Sequence, residues 1–180
     1  MTYPEGAPDA LVYRHCPHCT AALTAQADPF DGRTRPACPD CGWVYHANSP
    51  IGVLAVIEAP GGLVFTHPAH GPAEAPASLS GLFLDYAESP EDGLVRAVRE
   101  QTGLDVEVLD EITRFQQPGT PLGHAHILGF RTRATGGDLI TGGSEGPAAL
   151  YPRDALPEII PVRLANRRVF AAYLARDAAV

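Results

Sequence analysis

Two pairs of cysteines offer the most specific chemistry in this sequence. Cys16-Pro-His-Cys19 and Cys38-Pro-Asp-Cys41 each leave two residues between their thiols, and 18 residues separate the pairs. A two-residue gap lets a tight knuckle aim both thiolates at one ion, and two knuckles complete a tetrahedral zinc site. Gly42 follows the second pair, where such a knuckle often needs an unusual backbone angle. A structural disulfide pair and a redox dithiol are the competing readings. Both fit poorly, since the chain reads as cytosolic and no βαβ pattern surrounds either pair. Four thiolates leave no coordination position open, so the expected zinc is structural. A ribbon of this size falls below the roughly 40 residues that usually fold unaided. Metal binding would then supply its folding energy, on the order of 10 kcal/mol. His15, His18 and His46 lie beside the knuckles and read as exposed loop residues rather than substitute ligands.

Histidines and arginines supply the other candidates. His124-Ala-His126 lies in an expected strand, which puts both imidazoles on one side. With His67 and His70 they would make an alternative metal site; loop and strand-surface histidines are the simpler reading. Arg131 and Arg133 share a strand face and have the fork that clamps phosphate, although a solvated face accounts for them as well. Arg163, Arg167 and Arg168 read as solubilising charges. Trp43 and Tyr45 read as packing residues beside the second knuckle, with stacking on a base as the sharper alternative.

The elements that must position these groups change character near residue 50. Residues 51–57, Ile-Gly-Val-Leu-Ala-Val-Ile, form a β-branched apolar run expected as a buried strand. Pro60-Gly-Gly62 turns the chain, and residues 63–65 pair back as a hairpin. Residues 67–76 read as a loop and 79–84 as another strand. A helix is marked next: Ser89 as N-cap, Pro90 at its first position, Asp92 as capping-box acid and Gly103 as its stop. Leu94, Val95 and Val98 are its expected inward stripe. Residues 104–115 and 124–133 read as strands separated by Gln116-Gln-Pro-Gly-Thr-Pro121, and 136–147 as turn-rich. The last helix, about 162–176, places Leu164, Val169, Phe170 and Leu174 at helical spacing. Strands and helices mixed without regular alternation predict an α/β (α+β) fold, or a three-layer α/β/α sandwich.

Composition bounds the function. The 180 residues carry 13 Lys+Arg against 21 Asp+Glu, a formal charge of −8, with 45% hydrophobic and 19% charged residues. That is a globular balance without the basic face that nucleic acid or a membrane surface requires. No apolar run approaches the roughly 20 residues of a membrane span. The first residues lack the basic start and apolar stretch of a signal peptide, so a cytoplasmic protein is expected. Every basic residue is Arg, which removes Schiff-base chemistry and any phosphate-cradling lysine.

The segment from Gly81 to Leu104, with Glu88, Arg96, Glu100 and Gly103, resembles a Nudix box, G-x5-E-x7-R-E-U-x-E-E-x-G-U with U aliphatic. Cys41-Gly-Trp-Val-Tyr-His-Ala-Asn-Ser-Pro50 resembles the junction in Nudix proteins with an N-terminal zinc ribbon, the group that includes NADH pyrophosphatases. Gln117-Pro118 and Leu156-Pro157 are weaker echoes of that group. The resemblance implies a tail (1–12), a zinc ribbon (13–48) and a Nudix α/β/α sandwich (49–180). It implies that the box helix holds Mg²⁺ or Mn²⁺ against a diphosphate on three glutamates at i, i+3 and i+4.

Here those three positions read Ala97, Glu100 and Gln101. The loop before the helix also departs: where the family reads W-x-L-P-G-G-x-x-E-x-G-E, residues 77–88 keep Leu79, Gly81 and Glu88, with Asp85 in place of a glutamate and Ala87 in place of a glycine. Arg96 and Glu100 are expected to pair across one helical turn. The resemblance thus assigns catalysis to Glu100, Glu88, Arg96 and Glu145, and the Mg²⁺ or Mn²⁺ to Glu100 and Glu88. The ligand class is a nucleoside-diphosphate-linked small molecule, NAD(H)- or ADP-ribose-like, and a homodimer is a common family assembly. The expected activity is weak hydrolysis. The alternatives are a non-hydrolytic sensor or partner that binds such a ligand, and a cleft turned to a different small-molecule reaction.

Overall fold

The apolar run after residue 50 forms the strand on which the larger part of the molecule is organised. The structure is a computed structural model and describes residues 13–68, 76–120, 123–140, 146–159 and 163–177. The chain divides into two compact units, Met1–Pro50 with Pro118–Ala125, and Ile51–Gln117 with His126–Val180.

In the first unit, β1 (Thr24–Ala27) and β2 (Thr34–Ala37) pair antiparallel, Thr24 opposite Ala37 and Ala27 opposite Thr34. Asp28 closes the turn between them: its backbone N–H donates to the Arg33 carbonyl, and its buried carboxylate receives Arg35 Nη1 at 2.7 Å. Arg35 also grips Asp31 with both terminal nitrogens, which holds the Asp31 carboxyl below the usual carboxylate range. Tyr13, Trp43 and Tyr45 gather their rings within 4.9–6.1 Å of one another, so they serve packing in this unit.

In the second unit, β3 (Ile51–Ala59) pairs antiparallel with β4 (Gly62–Thr66) and β5 (Ser80–Phe83), and parallel with His126–Arg133 of β7 (Gly123–Gly137). β6 (Leu104–Thr120) flanks β7, and β8 (Ala148–Tyr151) flanks β4, giving the order β6-β7-β3-β4-β8 with β5 off this path. One helix covers each face. α1 (Pro90–Thr102) lays Leu94 and Val98 on Val53, Ala55, Ile57, Val64 and Phe130. α2 (Leu164–Asp177) covers the other face, where Phe170 meets Phe65 edge-on at 5.4 Å and Tyr173 donates to Glu58 at 2.8 Å. Gly129 permits close approach there, since a Cβ would sit 2.7 Å from Val169. This is the expected sandwich. With both faces covered, β3 has to be apolar on both sides, which explains its unbroken hydrophobic run.

Local signals hold at α1. Ser89 Oγ accepts the Asp92 N–H at 3.1 Å, and Gly103 takes a left-handed φ of 79° while donating to the Arg99 carbonyl. Three expectations need correction. Val95 is exposed, because the buried stripe runs through Gly93, Leu94, Ala97, Val98 and Thr102. Leu164 and Leu174 are exposed as well; the buried stripe of α2 is Asn166, Val169, Phe170 and Tyr173, an i, i+3, i+4, i+7 set. The expected loop at residues 116–121 is strand through Thr120, because β6 runs to that residue beside β7, which begins at Gly123.

Candidate functional site

The two cysteine pairs fold into matching knuckles. Cys16 N–H donates to the Ala21 carbonyl and Thr20 N–H to that of Cys16; Cys38 N–H donates to Trp43 and Gly42 N–H to Cys38. Thr20 and Gly42, each just after its second cysteine, both have left-handed backbones, φ 64° and 75°. Glycine adopts that angle freely, whereas a β-branched threonine is strained there. The four Sγ atoms lie within 4.8 Å of one another, with Cys16–Cys41 at 3.5 Å, Cys19–Cys38 at 3.4 Å and Cys19–Cys41 at 3.7 Å. Four thiolates about 2.3 Å from a central zinc would stand roughly 3.8 Å apart, so the spacing fits a tetrahedral site. All four cysteines are free, and their separations are far beyond a disulfide bond. Cys16 and Cys38 are buried with Leu23 against Ala21 and Trp43.

The acidic constellation lies where β5 and the following loop meet α1. Arg96 is its centre. Its Nε donates to Glu88 Oε1 at 2.7 Å and its Nη2 to Glu88 Oε2 at 2.9 Å, a two-point pair. The same guanidinium reaches Asp85 at 3.1 Å and Glu100 at 3.4 Å, the latter being the expected turn-spanning pair. Glu88 Oε2 also accepts the Asp85 N–H at 3.0 Å. The Arg96 hydrogen bonds, then the Asp85 N–H, draw the Glu88 carboxyl down to about 2, and Glu88 in turn raises the Arg96 guanidinium. Gly93 makes room for this loop: a Cβ there would meet Leu84 at 2.3 Å and the Glu88 carboxyl carbon at 3.0 Å. Ala87, at a position where the resemblance puts glycine, keeps a left-handed backbone with φ 63°.

The two replaced positions serve packing and bonding. Ala97 is fully buried on the core face of α1. Gln101 turns toward β5: its Oε1 accepts from Ser80 Oγ at 2.8 Å and from the Gly81 N–H at 3.0 Å, and its Nε2 donates to the Gly81 carbonyl at 2.9 Å. Glu100 stays exposed, paired with Arg96 at 3.4 Å. Glu145 lies outside the described residues. Among the described residues the donors do not fit the Mg²⁺ or Mn²⁺ that the box resemblance implies. The Glu88 oxygens are taken by Arg96 and a backbone N–H, Gln101 has its amide nitrogen against the Gly81 carbonyl, and Ala97 has no donor. Among the described residues the four cysteines are the one group of three or more metal-ligating side chains.

The remaining candidates resolve into surface and structural roles. His124 and His126 share an exposed face of β7, as period-two alternation requires, and with His67 they assemble no metal-holding group among the described residues. His67 instead meets the Tyr151 hydroxyl at 2.7 Å, and His70 lies outside the described residues. Arg131 and Arg133 face Asp110 at 3.1 Å and Glu107 at 3.7 Å. Arg163 donates to Ser78, Arg168 lies over the Phe115 ring at 3.7 Å, and Arg167 is exposed. Gln101 as a bonding residue escaped sequence reasoning. Its nearest signal is Gly81, one of three residues that the loop keeps with Leu79 and Glu88.

Residues 48–173 match the model of the NUDIX domain. A curated relative, the NAD-capped RNA hydrolase NudC of Pseudomonas aeruginosa, is 30% identical over 165 residues, which is 91% of this chain and 56% of the relative. The chain thus spans little more than half the length of that protein. The ADP-ribose pyrophosphatase of Methanocaldococcus jannaschii is 26% identical over 110 residues, 61% of this chain and 65% of the relative. Among solved structures, a NUDIX hydrolase from Nitrosomonas europaea superposes with a TM-score of 0.65 at 18% identity, covering 83% of this chain and 85% of that one.

Proposed function

The chain belongs to the Nudix family, and from that premise we propose that it binds a nucleoside diphosphate joined to a second group, of the NAD(H) or ADP-ribose type, and splits the diphosphate only slowly. The ligand class rests on what the NudC and ADP-ribose pyrophosphatase relatives are named for. The slow rate rests on one observation: α1 offers Ala97, Glu100 and Gln101 where hydrolytic members offer three glutamates. Cleavage requires water oxygen to attack phosphorus, the bridging P–O bond to break and the water proton to leave. Of the three box positions Glu100 alone keeps a carboxylate, and it is exposed and able to take that proton. Arg96, held by three acids, is committed to shaping the loop and is not free to grip phosphate. Loss of two of three metal-positioning carboxylates removes orders of magnitude in rate, about 1.4 kcal/mol for each factor of ten. With a formal charge of −8 the chain suits a small molecule better than an RNA body. The cysteine site would hold zinc as a structural centre, suited to a reducing cytoplasm.

A second reading, ligand binding without hydrolysis, is favoured by the engagement of Gln101 with Ser80 and Gly81. One experiment addresses both. Calorimetric binding of ADP-ribose and NADH is measured beside chromatographic detection of AMP, with Mg²⁺ or Mn²⁺, for wild type and for Ala97→Glu/Gln101→Glu. Binding with slow, Glu100-dependent cleavage, accelerated in the double variant, is expected. Binding with no cleavage selects the second reading. Absence of binding to either nucleotide overturns the ligand class.

A further inference from the structure

Among the described residues β5 pairs with β3 alone, which leaves Gly81 on a strand edge. It stands opposite Leu54 in the antiparallel pairing with β3, and a Cβ on it would fall 2.1 Å from the Val53 carbonyl oxygen. Its own N–H and C=O point away from β3 and both end on Gln101. A strand edge offers one donor and one acceptor, and a primary amide returns one acceptor and one donor in the same plane. The Gln101 side chain therefore pairs with Gly81 as a neighbouring peptide would, and Ser80 Oγ adds a third bond to the same amide oxygen. This cycle also fixes which amide atom is oxygen, since the flipped amide would set two donors against each other.

A carboxylate at this position cannot reproduce the pair. One oxygen would still accept from the Gly81 N–H and Ser80 O–H, but the other would sit near 2.9 Å from the Gly81 carbonyl oxygen. Two acceptors that close repel unless a cation lies between them. We propose that the Gln101 amide does in this chain what a divalent cation would do for a carboxylate: it latches α1 to β5, so the box helix is held against the strand with no divalent ion bound. The remaining acids agree with this. Asp85, Glu88 and Glu100 all bond to Arg96, a cation built into the fold. The latch rests on family membership and the geometry around Gly81, not on which nucleotide is bound. Its failure is therefore separable from that of the proposed function.

The test uses the full zinc-loaded chain and Mn²⁺ alone as probe. Bound Mn²⁺ is counted by electron paramagnetic resonance, and thermal unfolding is followed with and without millimolar Mn²⁺. Wild type is expected to bind no stoichiometric Mn²⁺ and to unfold at the same temperature either way. Gln101→Glu is expected to unfold on the order of 3–6 °C lower without the ion, to bind about one Mn²⁺, and to recover most of the difference when it does. Gln101→Leu, which has neither donor nor acceptor, should be lowered similarly with no recovery. Stoichiometric Mn²⁺ on wild type that Glu100→Gln abolishes would overturn the proposal. So would a Gln101→Glu protein as stable as wild type in the absence of Mn²⁺, or one that Mn²⁺ does not restore. If that variant does not fold, the Mn²⁺ titrations of wild type and Glu100→Gln decide.

Discussion

Arg96 and Glu88, eight residues apart, meet through two parallel hydrogen bonds of 2.7 and 2.9 Å that tie the box loop to the middle of α1. Arg96 lowers the Glu88 carboxyl to about 2 in the folded state. A depressed folded value means the stabilisation is complete above the ordinary glutamate range and is lost as pH falls through that range toward 2. Urea midpoints measured between pH 5 and pH 2.5 should therefore fall more steeply for wild type than for Glu88→Gln. Any acid release of metal from the cysteines is common to both proteins and drops out of the comparison. Parallel curves would remove Glu88 from the acid response.

Ala87 is held at a positive φ that glycine adopts without cost. Ala87→Gly should stabilise the protein by about 0.5–1 kcal/mol, the relief of left-handed strain less the added freedom of glycine in the unfolded chain. Denaturant titration measures this, and a destabilised variant would contradict it. Thr20→Gly is the equivalent change in the first knuckle, expected to have the same sign.

Trp43, the chain's single tryptophan, packs on the buried Cys16–Leu23–Cys38 cluster. Removing metal with a strong chelator should red-shift its fluorescence while the circular dichroism of α1 and α2 changes little. About one zinc per chain should be released, as read by a colorimetric indicator, and Cys38→Ser should give the same spectrum without chelator. Protein purified with no metal and an already blue-shifted Trp43 would rule out a structural zinc.

Ala97 has no exposed surface. Ala97→Glu alone should cost about 2–4 kcal/mol, combining overpacking with a carboxylate drawn into an apolar face. Urea unfolding at neutral pH checks the figure. A neutral result would mean the longer side chain reaches solvent past β5. Gln101→Glu is the gentler way to reintroduce charge, because Gln101 is only half-buried.

Much of this architecture was legible because its signals are local. Ser89, Pro90 and Gly103 delimit α1 through groups within a turn of themselves, and the cysteine spacing brings the four sulfurs together whatever surrounds them. Val95 and Leu174 were misread because an apolar side chain at roughly helical spacing does not reveal which of two adjacent stripes the sheet covers. The extent of β6 and β7 depends on each as partner for the other, and Pro118, within β6, reads locally as a strand breaker. The latch was invisible for a similar reason. Position 101 reads as a lost acid until α1 is docked beside β5, when it becomes a bond to a residue twenty positions earlier.

β3 is paired along both edges, with β5 and β4 on one side and β7 on the other. Its amide protons can therefore reach solvent only when the whole second unit opens, so those of Val53 to Ile57 should be the slowest to exchange with deuterium. They provide an internal clock for global unfolding. Against that clock the Gly81 amide, bonded to the Gln101 side chain, would report how often the helix lets go of the strand by itself.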